Sequence, residues 1–79
     1  MVTVHRAFGY RFVMFVNDHN PPHVHVFGHG GEAKIVLEDS NGPRLDWVVG
    51  IGRGDMRKIM QEAERECARL IEMWSTIHG

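Results

Sequence analysis

The 79-residue chain predicts an α+β fold: an antiparallel four-stranded meander sheet with one C-terminal amphipathic helix packed on one face. Three observations carry that prediction. Four runs rich in β-branched and aromatic residues lie between Tyr10 and Val49. Only short Gly-, Pro-, Asn- and Asp-bearing segments separate them, and short links between consecutive strands make antiparallel neighbours. After Asp55 the apolar residues recur every three or four positions, which is the period of a helix.

The first strand is expected over 10–16, bounded by Gly9 and by Asn17-Asp18. The second (23–27) and third (32–38) alternate cleanly, with Gly28-His29-Gly30-Gly31 between them as turn chemistry. The fourth (44–49) follows the Asp39-Ser40-Asn41-Gly42-Pro43 turn, and residues 2–6 are a candidate further edge strand. The helix, over 55–78, presents Met56, Ile59, Met60, Ala63, Cys67, Leu70, Ile71, Trp74 and Ile77 as one apolar stripe. Gly54 or Asp55 is the expected N-cap, and Gly79 ends the helix. The opposite helix face, with Glu62, Arg65, Glu66 and Arg69, reads as solvated rather than paired.

Register then separates the two sheet faces. With His29-Gly30 as a two-residue loop, Phe27 lies opposite Glu32, His25 opposite Lys34 and His23 opposite Val36. Val24, Val26, Ala33, Ile35 and Leu37 share the core face, to which Tyr10, Phe12, Met14, Val16, Leu45, Trp47 and Val49 are expected to add. Trp47 and Trp74 are expected to meet in that core. The other face collects Arg11, Val13, Phe15, His23, His25, Phe27, Glu32, Lys34, Glu38, Arg44, Asp46 and Val48. Such a face is too polar for a core and too aromatic for idle surface.

Composition bounds the function. A single domain (1–79) with one cysteine, Cys67, excludes a disulfide framework and a multi-cysteine zinc site. The formal charge of −1 withholds the usual signature of nucleic-acid binding. It is also balanced locally, with five acidic and five basic side chains in 1–54 and five and four in 55–79. The start has no basic segment followed by an apolar run, and the longest apolar stretch spans only 12–16, so a cytoplasmic protein with no membrane partner is expected.

Histidine is the unusual residue: six in the chain, with His19, His23, His25 and His29 inside eleven residues. Pro21-Pro22 stiffens the loop that carries Asp18 and His19 into the strand with His23 and His25. Three chemistries fit. In acid–base catalysis His19, His23, His25 and Asp18 would move protons, with Lys34 stabilising developing negative charge. As a metal site, His23 and His25 with His19, or with Asp18, from the loop would hold a divalent ion such as zinc, although no chemistry here requires a cofactor. As a recognition face, Phe15 and Phe27 with Arg11, Lys34 and Arg44 would stack on and clamp single-stranded RNA. His29 at its turn, and His5 and His78 without neighbours of similar chemistry, fall outside these sets.

Gly9-Tyr10-Arg11-Phe12, the run from Asn17 to Val26 with its His-x-Pro-Pro-His-x-His pattern, Gly31-Glu32-Ala33-Lys34, Trp74 and His78-Gly79 together resemble the bacterial family called domain of unknown function 4160. That resemblance implies a small protein often encoded beside another small domain, in arrangements that look like toxin–antitoxin pairs. The expected function is therefore a toxin-like component of a two-protein module acting on RNA through the histidine face. Its partner would be a small cognate protein or a second copy of the chain. The alternative is a non-enzymatic partner-binding, regulatory or metal-binding module that uses the same face.

Overall fold

A computed structural model describes residues 1–37 and 41–79. The chain runs β1 (Val2–Ala7), β2 (Tyr10–Met14), β3 (His23–Gly28), β4 (Gly31–Val36), β5 (Arg44–Val49), α1 (Arg53–Arg65) and α2 (Cys67–His78). The strands form one antiparallel sheet in sequential order, so the meander is right in type but has five strands, not four. The added strand is the edge segment over 2–7, and Phe8-Gly9 turns it into β2. Phe8 and Gly9 take φ of 57° and 79°, and His29 and Gly30 take 51° and 80°; paired left-handed residues give each hairpin a turn that matches sheet twist.

The β3–β4 register is the expected one, with Phe27 opposite Glu32, His25 opposite Lys34 and His23 opposite Val36. The inner face carries Tyr10, Phe12, Met14, Val24, Val26, Ala33, Ile35 and Leu37, all buried against Met56, Ile59, Ala63, Leu70 and Trp74 of the helices. Val16 does not join them. β2 ends at Met14, the Asp18 amide donates to the Phe15 carbonyl in a turn, and Val16 is left 56% exposed. Glu38, expected to close the third strand, and Asp39 and Ser40 of the turn after it lie outside the described residues.

Strand β5 departs from simple alternation. Ile35 faces Leu45 but Lys34 faces Trp47, so Asp46 is an extra residue that shifts the phase of the strand. Leu45 stays with the core, whereas Trp47 and Val49 fall on the outer face with Lys34 and Glu32. Trp47 and Trp74 therefore do not meet in the core. Asp46 reaches back across the pair, its Oδ2 3.5 Å from Lys34 Nζ.

The single helix becomes two segments that break at Glu66, where φ and ψ are −98° and 6°. No Pro or Gly marks the break, and the broken helix fits dimensions that a straight one exceeds. Twenty-six straight helical residues would span ~39 Å, and the longest extent of the molecule is 33 Å. Breaking the rod keeps both apolar stripes on the sheet. The N-cap is Gly52 with no side-chain cap, and Asp55 instead accepts a 2.7 Å hydrogen bond from the Tyr10 hydroxyl.

The charged helix face is paired rather than merely solvated. Arg65 holds Glu62 and Arg69 holds Glu66, both at i,i+3 spacing. β1 joins this network. His5 Nε2 lies 2.5 Å from Glu62 Oε2, and Arg69 Nη2 lies 2.8 Å from His5 Nδ1. A guanidinium only donates, so His5 Nδ1 accepts and Nε2–H donates to Glu62. His5 is thus the tie between the edge strand and the break in the helix. His78 also has partners: it stacks on Trp74 at 3.7 Å and bonds the Phe15 carbonyl at 2.9 Å, which anchors the end of α2 to the loop after β2.

Candidate functional site

The helices cover one face of the sheet only, and the outer face is centred on β3, the middle strand. His23 and His25 are two residues apart on that strand, so both rings project outward, with centroids 5.4 Å apart. The loop over 15–22 folds back beside them. Its Asn20–Pro21 peptide is cis, and the Leu37 amide donates to the Pro22 carbonyl, docking the loop on the chain after β4. This places the Asp18 carboxylate over both rings. Asp18 Oδ2 lies 2.9 Å from His23 Nε2 and 3.7 Å from His25 Nε2.

The other ring nitrogens face further acceptors. His23 Nδ1 is 2.9 Å from the Pro21 carbonyl oxygen, and His25 Nδ1 is 3.5 Å from Glu32 Oε2. The latter nitrogen is buried and makes no proper hydrogen bond. His23 is only 5% exposed and leans on Trp74 at 5.0 Å between centroids. His25 is enclosed by Phe15 at 5.1 Å, Trp47 at 6.1 Å and Phe27 at 6.2 Å. Burial pushes the His25 imidazole below its ordinary range, and the neighbouring His23 adds to that; Asp18 and Glu32 pull the other way. Burial dominates, which favours a neutral ring with a lone pair to offer.

The structure brings Asp18, His23 and His25 together and leaves the other candidates apart. One ligating atom from each of these three lies within 4.8 Å of the others, and His19 is not in the group. His19 is exposed, lining a cleft of about 630 Å³ with Val16, Asn17, Asp18, Asn20, Trp74, Ile77 and His78. Lys34 is directed to Asp46. Arg11 sits over the Phe27 ring at 6.0 Å, and Phe27 meets Phe15 at 6.4 Å, so three of the recognition residues form one patch. Arg44 lies opposite Val36 near the sheet edge and is exposed.

Sequence reasoning did not assign Glu32, Trp47 or Trp74 to the site. Glu32 was legible as the outward neighbour two residues before Lys34. Trp47 was hidden by the bulge at Asp46, and Trp74 by its distance in sequence from His23.

This fold and site define a small α+β domain with a histidine–carboxylate centre on the open side of its sheet. The chain belongs to the family described as Domain of unknown function (DUF4160), whose model matches residues 9–75. The match spans β2 to β5, all of α1 and most of α2, including every residue of the centre. No curated protein and no solved structure matches the chain. No helix among the described residues is long and apolar enough to cross a membrane.

Proposed function

We propose that the chain acts on RNA through the outer face of its sheet, as the toxin-like component of a two-protein bacterial module. The observation that supports this most is the surround of the Asp18–His23–His25 centre: Phe15, Phe27 and Trp47 ring it, with Arg11 over Phe27. Sheets that bind single-stranded RNA stack bases on such rings and contact phosphates with nearby cations. The single Arg–Phe patch and the net charge of −1 make binding modest and strongly salt-dependent.

The test is direct. Tag-free chain, purified away from any partner, is incubated with single-stranded and duplex RNA, and its expression is induced in bacteria. Cleavage of the single strand and growth arrest are expected, both lost in His25→Ala. Intact RNA with unimpaired growth overturns the reading.

The second reading, a non-enzymatic docking module, is favoured by strand β5. It is an edge strand whose outer side leaves Val49 68% and Trp47 39% exposed, which suits pairing with a cognate protein or a second copy. If the His23→Ala/His25→Ala protein loses a complex or an oligomer while RNA is untouched by either form, docking replaces catalysis.

A further inference from the structure

We propose that Asp18 Oδ2, His23 Nε2 and His25 Nε2 form a two-histidine, one-carboxylate site for a divalent first-row transition ion, with Zn²⁺ its simplest occupant. The inference goes beyond action on RNA and does not depend on it.

Hydrogen-bond accounting is the first argument. His23 Nδ1 faces a carbonyl oxygen at 2.9 Å, and a carbonyl only accepts, so that nitrogen carries the hydrogen in the bond. In the neutral ring this makes Nε2 a lone pair, yet it points at a carboxylate oxygen 2.9 Å away. Two lone pairs at that separation repel unless a cation lies between them, and the cation is either a proton or a metal. No Lys or Arg ion-pairs with Asp18 or with either ring among the described residues.

Spacing is the second. Tetrahedral ligands on zinc–ligand bonds of ~2.0–2.1 Å stand roughly 3.3 Å apart. The separations from Asp18 Oδ2, 2.9 Å and 3.7 Å, fall either side of that value. All three ligand atoms lie within 4.8 Å of one another, so binding an ion draws the two rings closer together.

The surroundings are the third. A ligating imidazole usually donates its other N–H to a carbonyl or carboxylate, which fixes the ring and its tautomer. Both rings have that partner: the Pro21 carbonyl for His23, and Glu32 for His25. The buried His25 Nδ1, which lacks a bond in the metal-free geometry, would be the N–H donor to Glu32 once Nε2 ligates.

The donor set selects the ion. Two imidazoles disfavour Ca²⁺ and Mg²⁺, which take oxygen ligands, and suit Zn²⁺ or Fe²⁺. Three protein ligands leave a coordination position for water or substrate, the pattern of reactive rather than structural sites. Of the three ligands, Asp18 also lines the cleft beside the loop.

The test uses the full tag-free chain, stripped with chelator and titrated with ZnCl₂ by calorimetry. Nitrogen-15 spectra of the histidine rings are followed in parallel, and circular dichroism confirms folding. One zinc per chain at micromolar affinity or better is expected, shifting the ring signals of His23 and His25 but not of His19 or His29. Asp18→Asn and His25→Ala weaken binding by more than ~100-fold, and Glu32→Gln by ~10-fold, as loss of an outer partner does. His19→Ala leaves binding unchanged. If His25→Ala fails to fold, Asp18→Asn, which keeps shape and volume, decides the matter. No one-to-one binding below millimolar zinc, or equal weakening by His19→Ala, overturns the site. Zinc bound with RNA left intact supports the site and overturns only the RNA reading; no zinc bound with RNA cleaved does the reverse.

Discussion

Two histidine–carboxylate pairs lie on opposite faces of the same sheet: His5 with Glu62 among the helices, and His23 with Asp18 on the open side. Around His5 every group has a complementary neighbour. Arg69 donates to Nδ1, Nε2–H donates to Glu62, and Arg65 and Arg69 supply positive charge for Glu62 and Glu66. Around His23 and His25 acceptors are in excess: the Asp18 and Glu32 carboxylates and the Pro21 carbonyl converge on two rings, and among the described residues no guanidinium or ammonium is bonded to them. The same residue types therefore make a closed structural tie in one place and a centre short of a cation in the other. The difference is set by the neighbours, since both rings are largely buried.

The largest effect that tests this contrast comes from the two tryptophans, one on each side. Trp74 is buried against the core and supports His23, so Trp74→Ala should cost ~3–5 kcal/mol in urea unfolding. Trp47 is part exposed on the outer face, and Trp47→Ala should cost less than ~1 kcal/mol. Equal costs would mean that the outer face is packed as a second core, and the division into a structural and a working side would fail.

Next in size is Glu62→Gln, which leaves the Arg65 guanidinium and the His5 Nε2–H without their buried charged acceptor. A loss of ~1–2 kcal/mol is expected, with or without added zinc. Its pH dependence carries a sign. The Arg65 guanidinium, and then His5, hold the Glu62 carboxyl below the ordinary glutamate range. A carboxyl lowered in the folded state contributes stability that is present above its unfolded value, about 4.3, and is lost as pH falls through the folded one. Stability of the native chain should thus decline from pH 5 downward, and Glu62→Gln should make that decline shallower. It should not abolish it, because Arg69 lowers Glu66 in the same way. Parallel acid-unfolding curves for the two proteins would show that His5–Glu62 is not the tie described here.

Much of this contrast was legible in the sequence, and the parts that were not share a cause. Alternation and the His29-Gly30 turn placed His23, His25, Lys34 and Glu32 on one face, because side-chain direction in a strand has period two. The same rule failed after Leu45, where one extra residue at Asp46 inverts the phase and sends Trp47 outward. A bulge adds no residue type of its own to the sequence, so it cannot be read from a single strand. His5 was opaque for a different reason: its partners are 57 and 64 positions away, and no local pattern announces such a contact. The Asn17–His25 segment was recognisable as the reactive one, but which of Asp18 and His19 turns inward depends on how the loop docks against Leu37.

The smallest effect is the most discriminating. In zinc-free protein Asp18→Asn should change stability by less than ~0.5 kcal/mol, because the asparagine amide keeps the shape of the carboxylate and offers His23 Nε2 both an acceptor and a donor. With zinc present the two proteins should separate. A ligand that binds only the folded chain stabilises it by RT ln(1 + [L]/Kd), ~2.7 kcal/mol at a hundredfold excess over Kd. The native protein gains that increment, and Asp18→Asn, binding far more weakly, gains little. Melting curves of both proteins with and without zinc therefore read a difference of differences, in which any general effect of the substitution cancels. If Asp18→Asn instead costs as much in zinc-free protein as Glu62→Gln does, Asp18 is holding the fold together as Glu62 is, and the two faces of the sheet carry the same kind of pair.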